Sequence, residues 1–295
     1  MSLSADRVAG LYEAACLAEL DALKPGNVHR FAGGHAMTVE TFETAAAVTA
    51  PHVADHRAEV GARILAAVEA TRAAVATNAN LGILLLCAPL AAAAERTTSG
   101  GGERQAEMAL RAALGTVLAA LTLRDAATVF RAIALAAPGG LGEAAEHDVR
   151  GPPDISLVGA MRLAADRDLV ARQYADGFAE LFDVGLPAIR AARAARADSE
   201  SATVAVFLAF ASGFPDSHVG RKYGADAAEA LRLRFAAAAN RLPALADPAA
   251  RHAFLSAFDA ELKRERLNPG TSADLTVATL FLDGLCRTLA ERKSG

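Results

Sequence analysis

The stretch Leu81–Ala94 reads LGILLLCAPLAAAA and is apolar on every face when wound as a helix. A helix with no polar side to give to water must be surrounded by other elements, so this one is predicted to be the central buried helix. The apolar window Ala79–Ala94 is too short to cross a bilayer and is interrupted by Pro89, which predicts no membrane insertion. Polar residues just before it are predicted to sit at the edge of the core.

The remainder of the chain has the pattern needed to surround it. Apolar residues recur at three- and four-residue spacing nearly throughout, with no two-residue alternation. Ala and Leu dominate, and aromatic residues make up only 5% of the chain, so the composition favours helix over strand. The predicted class is all-α. Helices are predicted at roughly 5–22, 39–50, 54–76, 80–95, 103–121, 125–136, 155–165, 168–181, 184–196, 201–213, 217–240, 248–265 and 272–291. Ser4 and Asp6 suit the first helix start. Glycine-rich breaks fall at 98–102 and 138–142, and 137–154 is the longest irregular stretch. No shift in composition accompanies it, so residues 1–295 are predicted to form a single compact helical bundle with 137–154 as a crossing loop. A chain of this length buries its core without disulfides or a structural metal.

Charge and cysteine usage narrow the class further. A net charge of −4 argues against binding to nucleic acid or to an anionic membrane surface in bulk. Cys16, Cys87 and Cys286 all lie in apolar helical stretches and never form a CxxC, which suits a reduced, cytoplasmic interior. The start MSLSADRV carries an acid and no apolar core, so no signal peptide is expected. The expected partner is a small nucleotide or phosphorylated molecule, and the Ala-rich faces leave a homodimer open.

Four polar clusters interrupt the helical pattern. The first is Lys24-Pro25-Gly26-Asn27-Val28-His29-Arg30, followed by Gly33-Gly34-His35. Pro and Gly end a helix and free the backbone, Lys and Arg suit phosphate oxygens, and His serves as acid or base. A solvated turn is the plainer alternative. The second, Thr77 to Gly82, places Asn78 and Asn80 at the mouth of the buried helix, where unpaired N–H groups suit an anion or where the asparagines simply cap. The third is Asp216-Ser217-His218-Val219-Gly220-Arg221-Lys222, with Asp216 a plausible N-cap and His218, Arg221 and Lys222 on neighbouring faces. The fourth is Asn268-Pro269-Gly270-Thr271-Ser272-Ala273-Asp274, in which Thr271 and Asp274 fit a capping-box spacing. Asp168, Arg172 and Asp176 read as a salt-bridge ladder along one helix. His52 and His56 make an HxxxH without a third ligand in register. No phosphate-binding GxxxxGK[ST], dinucleotide GxGxxG or nucleophile elbow GxSxG is present.

Taken together, KPGNV, the Asn-containing turn before an apolar helix, and NPGTSADLTVATLFL at 268–282 resemble the triphosphoribosyl-dephospho-CoA synthase family, in the same order from about residue 10 to 290. Where those synthases read K-P-G-L-V-D, this chain has Asn27 and His29. Where they read N-T-H-K-G, it has Asn78 to Gly82, with neither His nor Lys. KPGNVHR, DSHVGRK and DRDLVARQY look like a divergent branch found in methanogens and in methylotrophs with the tetrahydromethanopterin pathway.

The resemblance implies an all-helical enzyme that moves the triphosphoribosyl part of ATP to a hydroxyl of dephospho-CoA and releases adenine. It implies cations for the triphosphate, here Lys24, Arg30, Arg221 and Lys222, with Mg²⁺ bridging the phosphates. It also implies a carboxylate that accepts the hydroxyl proton or holds Mg²⁺, Asp216 or Asp274, and an acid for the departing base, His29 or His218. Glu19, Gly26, Asn27, His35, Asn78, Asn80, Asn268, Gly270 and Ser272 complete the expected substrate-binding set. Two alternatives remain beside this reading: another ribosyl- or phosphate-substrate step in tetrahydromethanopterin assembly, and a nucleotide-binding protein without catalysis.

Overall fold

The computed structural model describes residues 3–33, 37–98, 100–138 and 151–291, and these hold fourteen α-helices and no strand. The first six are α1 (Ala5–Asp21), α2 (Val39–Val53), α3 (Val60–Val75), α4 (Leu81–Arg96), α5 (Glu103–Ala119) and α6 (Leu123–Ala136). After 139–150, which lie outside the described residues together with most of the expected crossing loop, come α7 (Leu157–Ala164) and α8 (Leu169–Ala175). A π-helical turn, Leu181–Gly185, leads into α9 (Leu186–Ala194) and α10 (Ser199–Gly213). The chain ends with α11 (Ser217–Tyr223), α12 (Ala225–Arg241), α13 (Pro248–Arg264) and α14 (Gly270–Ala290).

As its sequence requires, α4 is buried on all sides. Leu81 and every residue from Ile83 to Ala94 are buried, and α2, α3, α5, α8 and α14 pack around it. α14 is the second inner helix, packed on α1, α4, α5 and α10. A smaller apolar cluster forms where α10, α11, α12 and α13 meet, around Phe207, Leu231, Phe235 and Leu262. Among the described residues no single helix is long and apolar enough to cross a membrane.

Burial of α4 makes its polar backbone expensive wherever a hydrogen bond is missing. Pro89 has no N–H, so the carbonyl of Leu85, one turn earlier, has no helical donor. The buried hydroxyl of Tyr174 supplies one, donating to Leu85 O at 2.6 Å. At the other end Arg63 of α3 forms a two-pronged pair with Glu95 at 2.7 and 2.8 Å and also donates to Val53 O and Ala58 O. One buried guanidinium thus ties α2, α3 and α4 together.

Several expected boundaries shift for local reasons. The helix expected from 54 starts only at Val60, so His52 lies in the last turn of α2 and His56 beyond it, and the HxxxH shares no helical face. The single helix expected over 217–240 is two, broken at Gly224 with φ 95°. The helix expected over 168–181 ends at Ala175, followed by Gly177 and Phe178 in the left-handed region.

Tyr174→Phe is expected to destabilise the protein by about 1–3 kcal/mol in urea unfolding, because the Leu85 carbonyl is left unsatisfied. Adding Pro89→Ala restores an N–H to that carbonyl, so the double variant is expected to recover most of the loss.

Candidate active site

The starts of α4, α8, α11 and α14, with the C-terminus of α1, line one cavity of about 1140 Å³. That lies at the upper end of the few hundred to about 1,000 Å³ usual for small-molecule sites, and leaves room for two ligands side by side. The four clusters singled out in the sequence are the segments that converge here, but they do so with different residues facing inward than their sequences suggest.

In the Lys24–Arg30 loop only Asn27 lines the cavity. Lys24, expected to hold phosphate, is fully buried and closes the end of α1 instead. Its ammonium donates to Glu19 O at 2.7 Å and Val28 O at 2.9 Å and pairs with Glu19 Oε1 at 3.1 Å. One is an orphan carbonyl of the α1 C-terminus and the other a carbonyl of the loop that follows, and no donor is left for a ligand. Burial pushes the Lys24 ammonium down and the Glu19 carboxyl up, and their mutual attraction limits both shifts.

Gly26 (φ 83°) is also structural: its N–H donates to Asp259 at 2.8 Å, and a Cβ there would lie 2.7 Å from Leu267 O. His29 faces away from the cavity, against Asp259 at 3.3 Å and Lys263. Burial lowers its pKa despite the hydrogen bond with Asp259, so it is not placed as the acid. Arg30 is half exposed and pairs with Asp21 and Glu43 on the outside. His35 lies outside the described residues.

The other segments divide in the same way. Lys222 is exposed, its ammonium 5.4 Å from the Tyr223 ring, and does not line the cavity. Ser272 is buried and serves Asp216: its N–H and hydroxyl donate to Asp216 Oδ2 at 2.8 and 2.9 Å. Asp216 Oδ1 in turn accepts from the N–H groups of His218 and Val219. With four donors on two oxygens, Asp216 is the clip between α11 and α14 and not an open base or metal ligand. Asn268 and Gly270 do line the cavity, Asn268 Oδ1 accepting from Asn27 Nδ2 at 2.8 Å and Gly270 lying beside the His218 ring.

At the mouth of α4, Asn78 Oδ1 accepts from Leu81 N at 3.2 Å. Asn80 Oδ1 accepts from Thr71 Oγ1 at 3.1 Å, while Asn80 Nδ2 is buried in the wall with no partner. Asp274 lies against the same turn. It is not part of a capping box, because α14 begins at Gly270 and Pro269 is its cap. A Cβ on Gly82 would lie 2.1 Å from Asp274 Oδ2, so glycine is what admits the carboxyl there. Among the described residues nothing donates to it. Burial, then the neighbouring Asp216 and Glu19 carboxylates, push its pKa well above the ordinary range, with Arg221 opposing.

Four cavity residues carry no local sequence signal as site residues. Asp168 caps α8, accepting from Val170 N and Ala171 N, and pairs across the cavity wall with Arg221, whose Nε is buried without a partner. It is not a rung of a ladder, since Arg172 turns to Ala165 O and Glu180. Arg72, Arg167 and Arg172 line the outer cavity with Arg221. The expected Mg²⁺ pair, Asp216 and Asp274, does not make a resident metal site: Asp216 is saturated, and no cluster of three potential ligands exists among the described residues.

Fold and cavity define an all-helical protein built around a site large enough for a nucleotide and a second small molecule. Residues 5–293 match the family described as ATP:dephospho-CoA triphosphoribosyl transferase, and the chain belongs to that family of transferase enzymes. It is similar in fold to the crystal structure of an Archaeoglobus fulgidus protein described as a triphosphoribosyl-dephospho-CoA synthase. The two align with a TM-score of 0.59 and 23% identity, over 81% of this chain and 96% of the other. No curated protein matches the chain significantly by sequence.

Gly82→Ala tests the Asp274 placement. Alanine is the better helix former by about 1 kcal/mol, so the variant is expected to remain folded by circular dichroism. The Asp274 carboxyl must move to make room, and turnover is expected to fall by about tenfold or more.

Proposed function

We propose that this chain transfers the triphosphoribosyl group of ATP to a hydroxyl of dephospho-CoA and releases adenine. The observation that carries this reading is the single cavity in which Asn27, Asn78–Gly82, Asp216–Arg221 and Asn268–Asp274 meet, in a chain whose family is defined by that reaction. In the proposed mechanism, Arg221, with its unpartnered Nε, and Arg72, Arg167 and Arg172 hold the triphosphate. Guanidinium groups suit phosphate oxygens better than the buried Lys24 could.

Asp274 takes the part of the general acid. A carboxyl whose pKa is pushed well above the ordinary range by desolvation and by the Asp216 and Glu19 carboxylates can give its proton to a departing adenine nitrogen. His218 borders the same space and is placed to orient the base or a phosphate. Asn27 and Asn268, joined by a hydrogen bond, offer their remaining amide groups to ribose or base hydroxyl and nitrogen atoms.

One feature favours a second acceptor class. The wall at Asn78–Gly82 presents amides and no His or Lys, unlike the N-T-H-K-G of the synthases it resembles. A ribosylated pterin, as in tetrahydromethanopterin assembly, is the acceptor that this reading would add.

Adenine released from ATP, measured by chromatography with dephospho-CoA or a ribosylated pterin present, separates the two. Release with dephospho-CoA, matched by a triphosphoribosyl product in mass spectrometry, is the expected result. Asp274→Asn is expected to lower that rate by about 100-fold or more while calorimetry shows ATP still bound. ATP binding without adenine release for any acceptor would show a silent binding protein and overturn the proposal.

A further inference from the structure

A transfer to a hydroxyl needs a group to take the hydroxyl proton, and the cavity carboxylates differ in their freedom to do so. Asp216 accepts four hydrogen bonds. Asp168 accepts two N–H groups and pairs with Arg221. Among the described residues Asp274 has no cation bound to it, and the Asp216, Glu19 and Asp168 carboxylates all act on it. Glu19 alone combines a fixed cation, Lys24 on Oε1 at 3.1 Å, with a second oxygen that no described residue engages. Its side chain is buried yet lines the cavity.

Asn80 is the complement. It borders both the main cavity and a void of about 10 Å³ that Glu19 also borders, and its Nδ2 is a buried donor without an acceptor. A hydroxyl both donates and accepts, so an open carboxylate oxygen and an open amide N–H that border the same space match it on both counts. We propose that Glu19 and Asn80 form the subsite for the acceptor hydroxyl. Glu19 Oε2 takes the proton, Asn80 Nδ2 donates to the hydroxyl oxygen, and Lys24 is the positioning residue that fixes Glu19.

The inference rests on the triphosphoribosyl-transfer reading and assigns its base. The acceptor oxygen bonds to the anomeric carbon as the bond from that carbon to the adenine nitrogen breaks, its electron pair leaving with adenine. The hydroxyl proton passes to Glu19, and adenine gains a proton from Asp274. Both carboxyls then return to their starting states by exchange with solvent.

The charged and titratable groups that act on Glu19 are Lys24 in the loop after α1, Cys16 one turn earlier on α1, and Asp274 from α14. Cys16 is held as a neutral thiol by burial, so Lys24 is the charge that opposes the upward push of burial on the Glu19 carboxyl. Removing that charge raises the pH at which Glu19 loses its proton. The acid limb of the pH–rate profile must then move to higher pH.

The test uses the full chain with ATP and dephospho-CoA, following adenine release, with ATP binding followed by calorimetry. Glu19→Gln is expected to lower turnover by about 100-fold or more with ATP affinity within about threefold of wild type. Asn80→Ala is expected to raise the KM for the acceptor and leave that for ATP unchanged. Lys24→Met is expected to move the acid limb up by about one pH unit or more, a shift that loss of packing alone does not produce. Should Lys24→Met fail to fold, Glu19→Asp carries the point: kcat falls by about tenfold or more with the carboxylate withdrawn by one methylene, and the acid limb persists. Glu19→Gln turning over within about threefold of an active wild type, or a folded Lys24→Met with an unmoved limb, overturns the subsite alone. A wild type that releases no adenine overturns the transfer reading and the subsite with it.

Discussion

The full burial of α4 is the constraint on which the rest of this structure depends. A helix with no polar face must have helices on every side, and its ends are the places where its backbone can meet polar groups. Its C-terminal end is closed by Arg63 and Glu95, and its missing internal hydrogen bond is closed by Tyr174. Its N-terminal end is left against a cavity, bordered by Asn78, Asn80 and Gly82. The cavity is therefore the point at which a wholly apolar helix can begin, and the partial positive charge of its first turn falls there.

Once such a cavity is walled by packed helices, water no longer equalises the side chains that face it. Each carboxyl takes the protonation state that its own partners dictate. Asp216 has four donors and is a structural clip, Asp168 is held by a helix start and Arg221, Glu19 has one lysine, and Asp274 has no donor among the described residues. The last two are both pushed upward by burial, but Lys24 opposes the shift at Glu19 while the neighbouring carboxylates add to it at Asp274.

The parts of this arrangement written locally were legible from the sequence. The all-round apolarity of Leu81–Ala94 predicts the central helix, and Ser4 and Asp216 are caps that the structure keeps. The four clusters are helix ends, and helix ends are where bundles place function. What could not be read is which way each side chain points at those ends. Lys24 and Arg221 are both cations in short polar motifs, yet one is drawn between the end of α1 and the Val28 carbonyl of its own loop, and the other faces a carboxylate from a helix about fifty residues away. Asp274 has the spacing of a cap, but Pro269 starts the helix earlier and releases it. Arg72 and Arg167 look like any surface arginine until α3 and the turn before α8 are brought to the same opening.

The Lys24–Arg30 loop shows what such a segment contributes when its charges do not touch a ligand. Lys24 holds it to α1, Asp259 holds Gly26 and His29 from α13, and the close approach of Gly26 to Leu267 fixes it beside the start of α14. The loop is thereby pinned from three directions, and Asn27 is the side chain it presents to the cavity, already bonded to Asn268. A charged loop free to move would lose conformational entropy each time it closed on a nucleotide. Here that loss is taken on folding, because the Asn27–Asn268 pair and Glu19 are already held by partners within the fold.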